Sequence, residues 1–556
     1  MKSSAAHGAA DVVVRGPIHT MADGDDVPHT AAAVRGGEFV AMDAEAESLI
    51  GPETHVVSTP PGACVMPGLG DIHTHLELAG GSLFDRVQLD PAAGVDEMIE
   101  RISEAAQRTP EGEWIVGGLW GVGLLEELDS LDARARIDAA TAGHPLLLRD
   151  ETAHHRLVNS ATLRLMGLDG DASSWAPDVS IDALSGRATG VLVESGSRRA
   201  EECLERERPR ADTELRAVMR AATKVLSSVG VTMTQEAATG ERALAALAAL
   251  DRADDLGCWI TTSASVNDLI FGFTPVGERL LDRVAEYATP RVRPTYAKIF
   301  LDGTPPTFTA SFHDTYPASF APEHGRGPDF RGTTTMPLAR LVEWLCQLHA
   351  RGLGAKVHCT GDASVTMVLD AVDAARERGV VLPVQLAHAQ FIARTDYARL
   401  AEADIPVDIC PQLWYPSPFQ RAAVAMVPVS VRATMCAFRE QLDAGVRLVG
   451  GSDWPVSPSP NPWPAIHGLV TRAHPDGTFP GVFLLEQAVS VREAVAIFTR
   501  ECARAMGIAA HTGTIEVGKS ADFVVIDRDP FAIAATRLGG THTLQTWMGG
   551  RPRFAA

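Results

Sequence analysis

Pro67-Gly68-Leu69-Gly70-Asp71-Ile72-His73-Thr74-His75 is the stretch on which the reading of this chain turns. An apolar run bounded by turn residues ends in two histidines spaced two apart. In an extended segment, alternate residues point to the same side, so both imidazoles share one face. Neutral imidazole suits zinc, iron, nickel and cobalt. Alone the pattern is weak, because two polar side chains on a loop read the same way. Its weight comes from what recurs downstream.

The next informative run is Tyr296-Ala297-Lys298-Ile299-Phe300-Leu301-Asp302-Gly303. Lysine is scarce in this chain: of 49 basic residues only Lys2, Lys224, Lys298, Lys356 and Lys519 are Lys. A lysine flanked by Ile and Phe is expected to be buried, and burial disfavours its charge. A neutral amine reacts with CO2 to give a carbamate, an anionic oxygen ligand able to bridge two metals; arginine cannot do this. The alternative is a strand-end lysine paired with Asp302 or reaching to solvent. His358 follows a short strand in Val357-His358-Cys359, His388 lies in Leu386-Ala387-His388, and Asp453 ends the run Leu448 to Asp453. Each alone reads as readily as a hydrogen-bonded structural residue. Lys356, on the strand face of His358, is read as a salt-bridged structural residue.

Taken together, two His, one Lys, two more His and one Asp close different candidate strands in order. Catalytic groups of a (β/α)8 barrel collect on that face from several strands. The surrounding pattern agrees. Short apolar runs (Leu146–Leu148, Val231–Met233, Ala297–Leu301, Ala355–Cys359, Val384–Ala387, Val407–Cys410, Val446–Gly450) alternate with helical stretches such as 212–229, 336–351 and 364–378. That alternation predicts an α/β fold, a TIM-like (β/α)8 barrel over 66–510, with an inserted lobe at about 80–200. Residues 1–65 and 511–556 hold short β-like runs, among them 11–15, 31–35, 39–41, 55–57, 513–515, 521–527 and 543–548, and are expected to pair into one small β-sandwich. Two long Pro/aromatic-rich stretches, 305–336 and 412–438, read as lids or disordered segments.

Composition narrows the rest. The 556 residues are 46% hydrophobic and 21% charged, an ordinary globular balance. A net charge of −21 argues against nucleic acid as a partner. The eight cysteines are scattered with no CxxC pair, which fits reduced thiols and neither a disulfide framework nor a zinc ribbon. No signal-peptide pattern and no long apolar span are present, so a cytoplasmic protein away from membranes is expected. The expected partners are a small-molecule substrate and a second copy of the chain in a homodimer.

At this point the chain resembles the amidohydrolase superfamily, and within it the branch of N-substituted formamide deformylases and YtcJ-like hydrolases. His73 and His75 match the family's HxH after the first barrel strand. Lys298 matches its strand-4 lysine, His358 and His388 its strand-5 and strand-6 histidines, and Asp453 its strand-8 aspartate. The likeness runs over about 10–550. Ala153-His154-His155-Arg156-Leu157-Val158-Asn159-Ser160 keeps a histidine but lacks the glycine the branch often carries, and Gly118-Leu119-Trp120-Gly121 lacks an acidic residue after Trp; both bear on substrate. The resemblance implies one or two divalent metals, zinc first. His73, His75 and Asp453 would hold the more buried metal, His358 and His388 the second, with carbamylated Lys298 bridging. It implies hydrolysis of an amide, formamide or carbamate-type C–N bond by a metal-bound hydroxide, with Asp453 as general base. A mononuclear site stays open, as do ester or lactone hydrolysis and a non-catalytic barrel scaffold. His154 is expected to reach the substrate or its oxyanion, or to be a buried lobe histidine. Trp414, Tyr415, Trp454 and Asp302 are expected to contact substrate; for the aromatics, packing under a lid is the alternative.

Overall fold

A computed structural model describes residues 8–176, 178–317, 327–413 and 415–556. Eight parallel strands form the central sheet: β1 (Leu69–Thr74), β2 (Val231–Thr239), β3 (Trp259–Ser265), β4 (Val292–Phe300), β5 (Gly354–Cys359), β6 (Val384–His388), β7 (Val407–Ile409) and β8 (Leu448–Gly450). Neighbours along the sheet are neighbours in sequence, from β1 to β8. A parallel bridge between Thr74 and Trp454 closes the ring, backed by a 2.9 Å bond from His75 N to Trp454 O. All nine residues of β2 and all six of β5 are buried, as expected for strands covered on both faces. The covering helices show why they sit there. In Asp212–Ser228, Leu215, Val218, Met219, Ala222 and Leu226 recur at helical spacing and are buried against the barrel.

Between β1 and β2 lies a separate six-stranded sheet. It contains Val87–Gln88, Ile115–Trp120, Leu146–Asp150, His155–Val158, Ala188–Val193 and Val179–Ile181. Leu146–Leu148, which the alternating pattern grouped with the barrel, belongs to this lobe. Conversely, β3 was missed, because Trp259-Ile260-Thr261-Thr262-Ser263-Ala264-Ser265 is too polar to read as an apolar run although all but Trp259 are buried.

The two chain ends meet in one eight-stranded sheet. Cys64–Pro67 pairs antiparallel with Phe523–Ile526. The sheet wraps over its own core: Phe39 N on the strand Glu38–Met42 bonds Lys519 O, and the Phe39 and Phe523 rings are 6.2 Å apart. Residues 513–515, expected as a strand, are irregular, with Ile515 N held by Thr20 O. The stretch 412–438 carries a helix, Pro418–Met426, and a 3-10 segment, Val429–Thr434, and so is not a disordered segment. Among the described residues, no helix is long and apolar enough to cross a membrane.

Candidate active site

The six residues expected at the barrel mouth converge there. His73 lies at the end of β1 and His75 directly follows it, Lys298 lies near the end of β4, His358 near the end of β5, His388 ends β6, and Asp453 follows β8. The ring centres of His73 and His75 are 5.3 Å apart, those of His73 and His388 4.6 Å, and those of His358 and His388 4.8 Å. Asp453 Oδ1 lies 3.5 Å from His73 Nε2 and 3.3 Å from His75 Nε2. Donor atoms of His73, His75 and Asp453 all fall within 4.8 Å of one another, a span one cation can bridge.

The backbone is bent to achieve this. His388, Ala389 and Asp453 adopt positive φ (68°, 37° and 58°). Non-glycine residues in such wells cost about 1–3 kcal/mol each, and the surrounding packing must hold them. Asp453 is held by a bond from its N to His73 O at 2.8 Å. Gly451 is required by close approach: a Cβ there would meet His73 Cβ at 2.7 Å and Asp408 Oδ1 at 2.9 Å.

A second layer sets which nitrogen each imidazole presents. His73 Nδ1 donates to Asp408 Oδ2 at 2.6 Å. His358 Nδ1 donates to Asp302 Oδ1 at 3.2 Å. His388 Nδ1 faces Cys410 Sγ at 3.8 Å. His154 Nδ1 lies 3.1 Å from both oxygens of Glu194. Holding Nδ1 in this way leaves Nε2 to act. Asp408 also pairs with Lys356 at 2.7 Å, and Lys356 donates to Ile72 O at 3.0 Å, so the structural reading of Lys356 holds.

Electrostatics follow from burial. It pushes His73 and His388 well below the ordinary imidazole value, keeping both neutral. Burial, with Lys356 beside it, pushes the Lys298 ammonium down to about 8. Burial alone would raise the Asp453 carboxyl, but His73, His75 and Lys298 bring it below its usual range. His73 Nε2, His75 Nδ1 and Lys298 Nζ are buried without a hydrogen-bond partner among the described residues. Stranded polar atoms are costly, and three at one barrel mouth point to a ligand. Neutral imidazoles, a carboxylate and an amine match the donor chemistry of a divalent transition metal.

The other expected residues are placed as follows. His154, on the lobe, comes within 6.2 Å of the His358 ring. Asp302 is buried, and its carboxylate accepts from Ser311 N, Thr360 N, Gly361 N and Ser364 Oγ besides His358, so its contacts are with the protein. Tyr415 is buried against the His474 ring at 5.1 Å. Trp454 is buried beside His75 and contributes its backbone to the ring closure. Trp414 lies outside the described residues. A cavity of about 230 Å³ opens from His75 toward the lobe, lined by Phe84, Trp114, Glu236 and the stacked pair Phe271 and Phe273.

Sequence reasoning missed Asp408, Glu194 and Glu236. Asp408 and Glu236 carried a signal: a charge inside a barrel strand needs a buried partner. Glu236 Oε2 accepts from Leu76 N at 2.6 Å, anchoring the helix Leu76–Ser82 directly after His75. Glu194, just after a lobe strand, carried none.

Comparison with known proteins agrees with this architecture. A model of the amidohydrolase family matches residues 61–554. N-substituted formamide deformylase of Arthrobacter pascens is 26% identical over 550 residues, covering 94% of each chain. The Bacillus subtilis (strain 168) protein YtcJ is 23% identical over 513 residues, covering 90% of each. The crystal structure of an uncharacterized metal-dependent hydrolase from Pyrococcus horikoshii superposes with a TM-score of 0.73 at 21% identity, covering 96% of this chain and 99% of that one, and so shares the fold. The chain belongs to the amidohydrolase family, and the protein is a hydrolase.

Proposed function

We propose that the protein is a metal-dependent hydrolase of a C–N bond (amide, formamide or carbamate-type) in a small organic substrate. The observation that carries this reading is the convergence of His73, His75, Lys298, His358, His388 and Asp453, with three of their polar atoms buried and unpartnered. His73, His75 and Asp453 would hold one divalent cation, zinc by donor type, and His358 and His388 would hold a second. Lys298, as its CO2 adduct, would supply an anionic oxygen ligand; burial keeps its amine available for that addition. Such a cation would supply Lewis acidity and lower the pKa of a water to about 7.

Asp453 takes a proton from the attacking water on its carboxylate and delivers it to the leaving nitrogen, which departs poorly unless protonated. His154 presents Nε2 to the substrate carbonyl, because Glu194 holds its other nitrogen. The likeness to a formamide deformylase over the whole chain supports the bond class. The cavity beside His75 sets aromatic walls (Phe84, Trp114, Phe271) against charged ones (Arg149, Arg156, Arg210, Glu236), which suits a small organic substrate carrying both apolar and polar groups.

The test is Asp453→Asn assayed on a panel of N-formyl, N-acyl and carbamate compounds, with metal content measured alongside. Turnover is expected to fall by about 10³-fold or more while bound metal is largely retained. Wild-type turnover in this variant would remove Asp453 from its role. A metal-free wild type with full activity would remove the proposal.

A further inference from the structure

Far from the barrel mouth, the seam between the two chain ends gathers a second set of metal-binding donors. His19 follows the first strand, Val12–Ile18. Cys64 opens the strand Cys64–Pro67. Asp529 follows the strand Phe523–Ile526. His19 Nε2 and Asp529 Oδ2 are 3.0 Å apart, and donor atoms of all three residues lie within 4.8 Å of one another. None of the three belongs to the active site. We propose that His19, Cys64 and Asp529 form a second metal site, selective for a borderline-soft divalent cation such as zinc.

Three things carry this reading. The donor set is one imidazole, one thiol and one carboxylate, which favours zinc over magnesium or calcium. The donors are pre-placed by backbone structure. Cys64 is in register with Ile526 across an antiparallel pair, and His19 N bonds Val65 O at 2.9 Å, so strand pairing fixes two of the positions. The Phe531 ring, 4.5 Å from that of His19, packs the third side. Finally, access is built in. Cys64 and His19 are buried, whereas the Asp529 side chain is 22% exposed, giving a cation one entry and leaving water as the fourth ligand. On binding, Cys64 loses its thiol proton to solvent and the sulfur–metal bond forms; no redox partner is needed. The site ties the N-terminal strands to the C-terminal ones. It therefore acts as a clasp on the wrapped sheet and not in turnover.

The test loads the full-length protein with cobalt(II) after chelation and records its near-ultraviolet spectrum. A thiolate-to-cobalt charge-transfer band is expected. It should persist in Cys410→Ser, which removes the thiol beside the active site, and vanish in Cys64→Ser. Metal analysis of zinc-loaded protein should show about one equivalent per chain fewer in Cys64→Ser and His19→Ala than in wild type, with turnover preserved in Cys64→Ser. A wild-type protein with no thiolate band overturns the proposal without any variant. So does a band lost with Cys410→Ser, or equal zinc content in Cys64→Ser and wild type; the three residues are then a buried His–Asp hydrogen bond beside a thiol.

Discussion

Lys356→Met is expected to destabilise the folded protein by about 3–5 kcal/mol, the cost of leaving a buried charge without its partner. The Lys356 ammonium and the Asp408 carboxylate are 2.7 Å apart, with neither side chain exposed. At an effective dielectric of about 20, their attraction is about 6 kcal/mol. Much of that offsets the desolvation of the two groups. Methionine fills the space of the lysine stem, so no cavity confounds the result. Among the described residues it leaves the Asp408 carboxylate hydrogen-bonded to the imidazole of His73 and the thiol of Cys410, with the Lys298 ammonium as a nearby cation. Asp408→Asn removes the charge while keeping an acceptor for His73 Nδ1. Combined with Lys356→Met, it is expected to restore much of the lost stability, giving a coupling energy of about 2 kcal/mol or more. The assay is urea unfolding of wild type, both single variants and the double variant after chelation, compared at constant m-value. A Lys356→Met protein within about 0.5 kcal/mol of wild type would refute the reasoning. Strictly additive single variants would do the same.

Three further outcomes are expected. Burial opposes ionisation of Glu201, but Arg149 and Arg156 outweigh it and hold the carboxyl at about 2. A depressed carboxyl adds stability that is complete above its unfolded value and lost as pH falls from about 4.5 to about 2, here about 3 kcal/mol. Glu201→Gln should flatten that acid limb in thermal melts, and an unchanged limb contradicts the assignment. If Lys298 acts as proposed, Lys298→Ala should lose turnover and regain part of it with added acetate, which would replace the lost oxygen anion; steady-state rates with and without acetate decide this. Asp302→Ala strands the donors of Ser311, Thr360, Gly361, Ser364 and His358, so a loss of about 3 kcal/mol or more is expected in thermal unfolding. A melt matching wild type would show that water replaces the carboxylate.

What could be read from the chain divides along physical lines. β5 and β6 are short apolar runs whose last residues are His358, Cys359 and His388, and strand geometry then dictates that chemistry collects at one end. β3 escaped because Thr261, Thr262, Ser263 and Ser265 are polar yet fully buried. Ser263 Oγ accepts from Gln235 Nε2 on the neighbouring β2 at 3.0 Å, while Thr262 Oγ1 and Ser265 Oγ are buried without a hydrogen-bond partner among the described residues. Hydropathy alone cannot foresee that pairing. Leu146–Asp150 reads as one more apolar run in the alternating pattern; only its place inside the expected lobe at about 80–200 assigns it to the lobe sheet, since nothing in five residues tells one sheet from the next.

The site was legible in its residue types and illegible in its orientation. Period-two geometry places His73 and His75 on one face, and this needs no knowledge of the rest of the chain. Which nitrogen of His73 looks outward depends on Asp408, 335 positions later. The same holds for His154, whose partner Glu194 follows the strand paired with His155–Val158, sits at positive φ and also accepts from Thr307 and Thr309 beyond β4. That lobe-to-barrel contact has a consequence for how the reaction is controlled. The barrel strands fix the candidate metal ligands, whereas the residue proposed to meet the substrate carbonyl rides on a separate sheet, which meets the barrel through Glu194, through Arg156 Nη2 on Ile270 O at 3.1 Å and through Glu205 paired with Arg242. Substrate choice can then change through the lobe, by altering residues such as Glu194 or Trp114, while the residues closing β1, β4, β5, β6 and β8 stay as they are.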